Sequence, residues 1–236
     1  MSTIFLLQAK SSMKDLYLVI WSIVIPITAL LSLAHFFPTY LSYSLAGIIA
    51  VSLMFYAFVT FSFTALSQRR RGVYDLLHAT PMPLYQYIFS ISIANALVAV
   101  AVSSFVLMIG LFISDVSNSI MGIVLSLPIL FVSAVMYLFL SFIVSSIVKT
   151  EGHLSMTTNL IMLPMILGSS AFYSLSDAHA IVQWLQMLNP FEWFLSGIRA
   201  AFTMDFALWG QSLLFLFIFF GLFFVGSIKT FSYGRR

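Results

Sequence analysis

Ten Lys and Arg, seven Asp and Glu and four His are the only formally charged or imidazole side chains in 236 residues, and their spacing offers little catalysis. No His-Glu-x-x-His pair stands ready for a metal, and no Gly-x-Ser-x-Gly elbow presents a nucleophile. A phosphate-cradling Gly-x-x-x-x-Gly-Lys-[Ser/Thr] loop is also missing, so this chain does not by itself hold a nucleotide in that way. Without cysteine there is neither a disulfide framework nor a thiolate metal site. His35, His78, His153 and His179 are scattered near the ends of apolar stretches and read as unrelated interfacial residues. The expectation is a chain with no catalytic residue, no bound cofactor and no metal.

Polar chemistry concentrates in two connecting segments. In "RRRGVYDLLHATPMP", residues 69–83, Gly72 breaks or bends the preceding helix, because glycine lacks the Cβ that restrains the backbone. Val73, Leu76, Leu77 and Thr80 then recur at i, i+3, i+4 and i+7 and form one helical face. Tyr74, Asp75 and His78 lie off it, and Pro81 and Pro83 stop the helix. Such a piece fits a headgroup surface, with Arg69, Arg70 and Arg71 as anchors. It fits a groove on a partner protein equally well.

The second segment spans 176–207. Ile181, Trp184, Leu185 and Leu188 fall at helical spacing, Asn189-Pro190 interrupts, and "FEWFLSGIRAAF" resumes the helix. Glu192, Ser196 and Arg199 share one face there, at i, i+4 and i+7. Glu192 and Arg199 stand too far apart along one helix to pair directly, so their partners are expected on other segments. Trp184, Trp193 and Trp209 suit a lipid–water boundary. A broken helical hairpin of this kind can dip into a membrane when protein shields its backbone. A third amphipathic piece, residues 3–15, carries Phe5, Ala9 and Met13 on one stripe beside Lys10 and Lys14, and reads as an interfacial helix.

These segments hang on a membrane framework. The chain is 61% hydrophobic and only 7% charged, far below the roughly 25% charge of a soluble domain. Spanning ~30 Å of hydrocarbon takes about 20 apolar residues. Six stretches qualify, at about 16–37, 42–66, 84–113, 119–148, 157–175 and 208–228. They are continuously apolar rather than alternating, which favours helices over a barrel. Lys10 and Lys14 before the first stretch resemble a signal sequence, but its length and the lack of a small-residue cleavage site make it a retained span. Short loops are expected near 38–41 and 114–118.

With six spans, Lys10, Lys14, Arg69, Arg70, Arg71, Lys149, Lys229, Arg235 and Arg236 fall on one side and Arg199 alone on the other. That makes the termini and the 67–83 loop cytoplasmic. Pro26, Pro128 and Pro164 lie within spans. Asn95 and Asn159 are the most polar side chains in or near spans, serving interhelical hydrogen bonds or contacting a substrate. With Pro164 they are the candidate pathway residues. "GSSA" at Gly168–Ala171 reads as small residues that let helices pack closely.

The run Arg71-Gly72-Val73-Tyr74-Asp75-Leu76-Leu77-His78-Ala79-Thr80-Pro81-Met82 resembles the cytoplasmic coupling segment of type-2 ATP-binding-cassette (ABC) exporter permeases. Gly72, Asp75, Leu76, Leu77, Thr80 and Pro81 stand at the matching places. Asn189-Pro190-Phe191-Glu192-Trp193, followed by Ile198-Arg199, is similar to that family's pattern between spans 5 and 6. Gln68 and Arg70 stand where the family commonly has glutamates, and Val73 where it has threonine.

The resemblance implies an all-α, single-domain membrane permease over residues 1–236. It would have six spans, an interfacial helix at 1–15, a coupling helix between spans 2 and 3, and a re-entrant hairpin lining or capping an outward vestibule. It further implies two separate ABC ATPase subunits carrying ATP and Mg, and a second permease, identical or homologous. The pathway would run along the dimer seam at spans 1, 2 and 5. A bacterial plasma membrane is the expected location, with lipid and no nucleic acid as surroundings. Nearly uncharged spans suit an amphipathic or hydrophobic cargo such as a drug, lipid-like molecule or peptide. An ATP-independent channel or facilitator, or a non-transporting membrane scaffold, are the competing readings.

Overall fold

The computed structural model describes residues 16–73, 84–114, 120–175 and 179–233. The expected interfacial helix at 1–15, positions 74–83 of the coupling segment and the loop at 115–119 lie outside the described residues. Among the described residues the fold is entirely helical. In chain order the helices are α1 (Leu16–Phe36), α2 (Pro38–Met54), α3 (Phe61–Arg70), α4 (Leu84–Ile113), α5 (Ile120–Ile147), α6 (Glu151–Leu167), α7 (Ala180–Met187), α8 (Pro190–Thr203) and α9 (Phe206–Tyr233). Among the described residues four continuous helices are long and apolar enough to cross a membrane: Pro38–Arg70, Tyr85–Ile113, Ile120–Ile147 and Phe206–Thr230.

The centre is built from Pro38–Arg70 and α5, whose apolar windows are the most buried. Leu53, Phe58, Leu66, Met136, Tyr137, Phe139 and Phe142 are completely enclosed. α4, α8 and α9 pack around α5, while α1 lies against α2 and α4. Rings lock the seams: Phe139 lies 5.1 Å and 5.0 Å from Phe220 and Phe224 of α9, and Phe142 lies 5.2 Å from Phe61. Buried hydroxyls turn back on their own helices, as Ser141 does to the carbonyl of Leu138 and Thr158 to that of Leu154. This satisfies them where no water reaches.

Between α2 and α3 the helix widens into a π-helical turn at Phe55–Thr60. A π turn loosens the backbone ladder, and the hydroxyls of Ser62 and Thr64 donate to the carbonyls of Phe58 and Thr60. The second apolar stretch, expected as 42–66, is therefore one interrupted helix that begins already at Pro38. Only Phe37 separates α1 from α2, so no loop exists at 38–41; proline at the first helical position starts the new helix at once.

The fifth stretch also departs from expectation. In place of 157–175 the helix runs Glu151–Leu167 and stops at Gly168. It starts early because the Thr150 hydroxyl accepts from the His153 amide, an N-cap. It ends early at Gly168: the Ser169 amide and hydroxyl close the last turn onto the Ile166 carbonyl, and the Ser170 amide and hydroxyl go to Glu192 instead. At 17 residues α6 is ~25 Å long, and α7 and α8 complete the layer beside it.

Candidate functional site

α8 is placed by its first residues. The Asn189 side-chain oxygen accepts from the Phe191 amide at 3.0 Å, while its Nδ2 donates to the carbonyls of Met165 at 2.6 Å and Gly168 at 3.4 Å. One amide thus caps the start of α8 and takes up the orphan carbonyls at the end of α6. Pro190 fills the first helical position, where its missing N–H costs nothing. The Trp193 indole donates to the Met187 carbonyl at 2.7 Å, closing α7 onto α8, and stacks on Phe215 of α9 with centroids 4.0 Å apart.

From there α8 runs antiparallel to α5. Phe194 lies against Tyr137, Gly197 against Ile129, and Phe202 against Gly122. Tyr137 is 17 residues from the start of α5, ~25 Å along it. α8 therefore lies along the first ~25 Å of α5. Gly197 lets the two helices approach closely, since a Cβ there would lie 2.8 Å from the Cδ1 of Ile129, which would have to shift.

The charged residues of α8 meet at one serine. Glu192, buried, accepts from the Ser170 amide and from the Ser170 hydroxyl, both at 2.7 Å. Arg199 donates to the Ser170 hydroxyl at 2.8 Å and to its carbonyl at 2.7 Å. Tyr43 of α2 adds its hydroxyl to the same carbonyl at 3.0 Å. Its ring lies 4.3 Å under the guanidinium, and its carbonyl accepts from Arg199 at 3.4 Å. Glu192 and Arg199 thus find partners on other segments and are bridged by Ser170. The stretch 168–171, read as small residues that let helices pack closely, also supplies the hub of this cluster through Ser170. Its small residues still matter, because a Cβ on Gly47 would lie 2.6 Å from the Ala171 carbonyl.

Ser170 and Tyr43 are the members that sequence reading missed. A serine among many carries no pattern, although Gly-Ser-Ser after a proline-containing apolar run is itself a helix-stop signal. Around the cluster opens a cleft of about 600 Å³ lined by Tyr43, Ser174, Gln183, Gln186, Trp193 and Arg199, among others.

At the opposite end, Arg69 inserts its guanidinium between the carbonyls of Ser146 and Val148. It takes up orphan acceptors at the end of α5 and adds favourable charge at that terminus. Arg70 pairs with Glu151 of α6 at 3.4 Å, with both side chains exposed. Arg71 is exposed, and Gly72 ends the helix with φ 70°, a conformation that favours glycine; Val73 follows, half-buried. Tyr74, Asp75, Leu76, Leu77, His78, Thr80 and Pro81 lie outside the described residues. Arg69→Ala is expected to cost about 2 kcal/mol, since buried acceptors are left bare. Arg70→Ala is expected to cost under about 1 kcal/mol, as an exposed pair does. Thermal unfolding of the two purified variants measures the difference, and equal losses would refute the assigned cap.

The candidate pathway residues are not brought together. Asn95 is buried in α4 and donates to the Ile91 carbonyl of its own helix at 2.9 Å. Asn159 and Pro164 lie on the exposed side of α6, beside Met156, Leu160, Leu163 and Leu167.

No curated protein matches the chain significantly. The chain does match the sequence profile of the family described as ABC-2 type transporter, over residues 2–203. That match covers most of the molecule, and apolar helices buried against one another make it an integral membrane protein. The chain belongs to the ABC-2 type transporter family and is a membrane component of such a transporter.

Proposed function

We propose that this chain is the permease subunit of an ATP-driven exporter, crossing the membrane six times with both termini cytoplasmic. α1, the helix Pro38–Arg70, α4, α5, α6 and α9 are the six crossings, α6 being completed by the α7–α8 hairpin. Residues 1–236 act as one permease domain. Two ATPase subunits bind ATP and Mg and push on the coupling segment from Arg71 to Pro81. A second permease, identical or homologous, covers the exposed faces of α1 and α6, where Ile20, Val24, Met156, Leu160 and Leu167 lack intrachain cover. The cargo is an amphipathic or hydrophobic molecule moved outward along that seam, past Asn159 and Pro164, in a bacterial plasma membrane.

One observation carries the coupling part of this reading. Residues 71–73 follow directly on the long central helix, and Arg69 and Arg70 tie this root to the end of α5 and the start of α6. Force applied at this root reaches both central helices and the start of α6. Asn189, Pro190, Phe191, Glu192, Trp193 and Arg199 hold the opposite end as a fixed outer cap. Co-purification of the tagged chain from its native membrane tests the reading. A Walker-motif ATPase is expected with it at equal stoichiometry. Solute transport by the purified chain alone would overturn the reading in favour of a channel.

A further inference from the structure

Beside the polar cleft lies a second cavity, an apolar crevice of about 320 Å³ between α2 and α8, lined by Leu45, Ala46, Ile49, Ile198 and Phe202. The two share a wall, because Tyr43 and Arg199 line both. The crevice follows α2 from Ser42 to Ile49, seven residues or ~10 Å along the helix axis. With Pro38 at the outer surface, it descends from the headgroup level into the hydrocarbon of the outer leaflet.

The shared wall has spare donors. A guanidinium carries five N–H bonds, and Arg199 makes three hydrogen bonds, to the Ser170 hydroxyl, the Ser170 carbonyl and the Tyr43 carbonyl. The remaining N–H bonds have no acceptor among the described residues. A partly buried cation with unused donors, opening on a cavity, suits a phosphate oxygen, which takes two such bonds from arginine. Glu192 in the same cleft balances the arginine charge, and its carboxylate together with the Trp193 ring suits a cationic group. Polar recognition with one charge of each sign, beside an apolar slot running into the membrane, describes a zwitterionic amphiphile.

We propose that the cleft and crevice together bind one zwitterionic phospholipid of the outer leaflet, its phosphodiester on Arg199 and an acyl chain between α2 and α8. This rests on the membrane orientation given above but not on coupling to an ATPase. The crevice is lined by residues of α2 and α8 within one protomer and by none of α1 or α6.

The full chain, reconstituted without any partner, is to be illuminated with a phosphatidylcholine carrying a diazirine in one acyl chain. Peptide mass spectrometry then locates the adducts. The expected result is labelling at residues 45–49 and 198–203 above that on the exposed face of α1, which samples bulk lipid. Thr203→Trp, an exposed position on the crevice rim, should reduce crevice labelling about tenfold while leaving α1 labelling unchanged. A diacylglycerol with the same chain should label the crevice about tenfold less, the ratio expected for losing one charge-assisted hydrogen bond. Millimolar inorganic phosphate should leave labelling unchanged. Equal labelling by diacylglycerol, displacement by phosphate alone, or a crevice no more labelled than α1 would each overturn the proposal. None of these outcomes bears on whether an ATPase co-purifies, so the two readings fail separately.

Discussion

Glu192→Ala is expected to lower the stability of the purified protein by about 3 kcal/mol, the largest loss for any single side chain outside the apolar core. The carboxylate is buried and receives two short hydrogen bonds from Ser170. Removing it leaves the Ser170 amide without an acceptor and Arg199 without its compensating charge. Glu192→Gln keeps the shape but presents one oxygen where two donors converge, so about half the loss is expected. Because Arg199 acts through the same serine, the two residues should be coupled. A double-mutant cycle of Glu192→Gln and Arg199→Gln should show about 1–2 kcal/mol of interaction energy. Thermal unfolding in detergent, followed by tryptophan fluorescence, measures all of these. Strict additivity, or a loss below about 1 kcal/mol for the alanine variant, would show that the cluster does not hold the hairpin.

Replacing Leu76 and Leu77 together with Asp is expected to abolish transport while leaving insertion and expression intact. Both leucines belong to the apolar face of the proposed coupling helix, and two carboxylates there cannot enter an apolar groove on a partner. The loss should exceed about a hundredfold, since each buried leucine contributes about 2 kcal/mol to a docked surface. ATP hydrolysis by the co-purified complex, measured beside transport into inverted vesicles, separates uncoupling from misfolding. Normal transport by this variant would remove the coupling assignment and leave the root of the segment, at Arg69 and Arg70, as a purely structural clamp.

Much of the framework was legible because lipid imposes a simple code. Without water, a chain must satisfy its backbone within helices. Long uncharged runs such as 84–113 and 119–148 therefore matched α4 and α5 nearly to the residue. Asn189-Pro190 announced the start of α8 through local cap chemistry, and the common face of Glu192, Ser196 and Arg199 followed from helical spacing. The end of α6 was misplaced because "LGSSAFYSL" is apolar enough to pass as span. Past Gly168 the polar groups of Ser170 go to Glu192 and Arg199, over twenty residues later, which no local pattern announces.

By itself, the order of residues determined that this chain lives in a membrane, where α4, α5 and α8 begin, and which face of α8 carries charge. These properties depend on neighbours within a turn or two, and on the solvent. Only the tertiary structure decided that Ser170 and Tyr43 complete the cluster, that Arg69 caps α5, and that Asn95 turns to its own helix while Asn159 is exposed on α6. The pairings between segments join residues 22 to 156 apart, and a hydroxyl or guanidinium carries no mark of which distant partner the packing of apolar helices will bring to it.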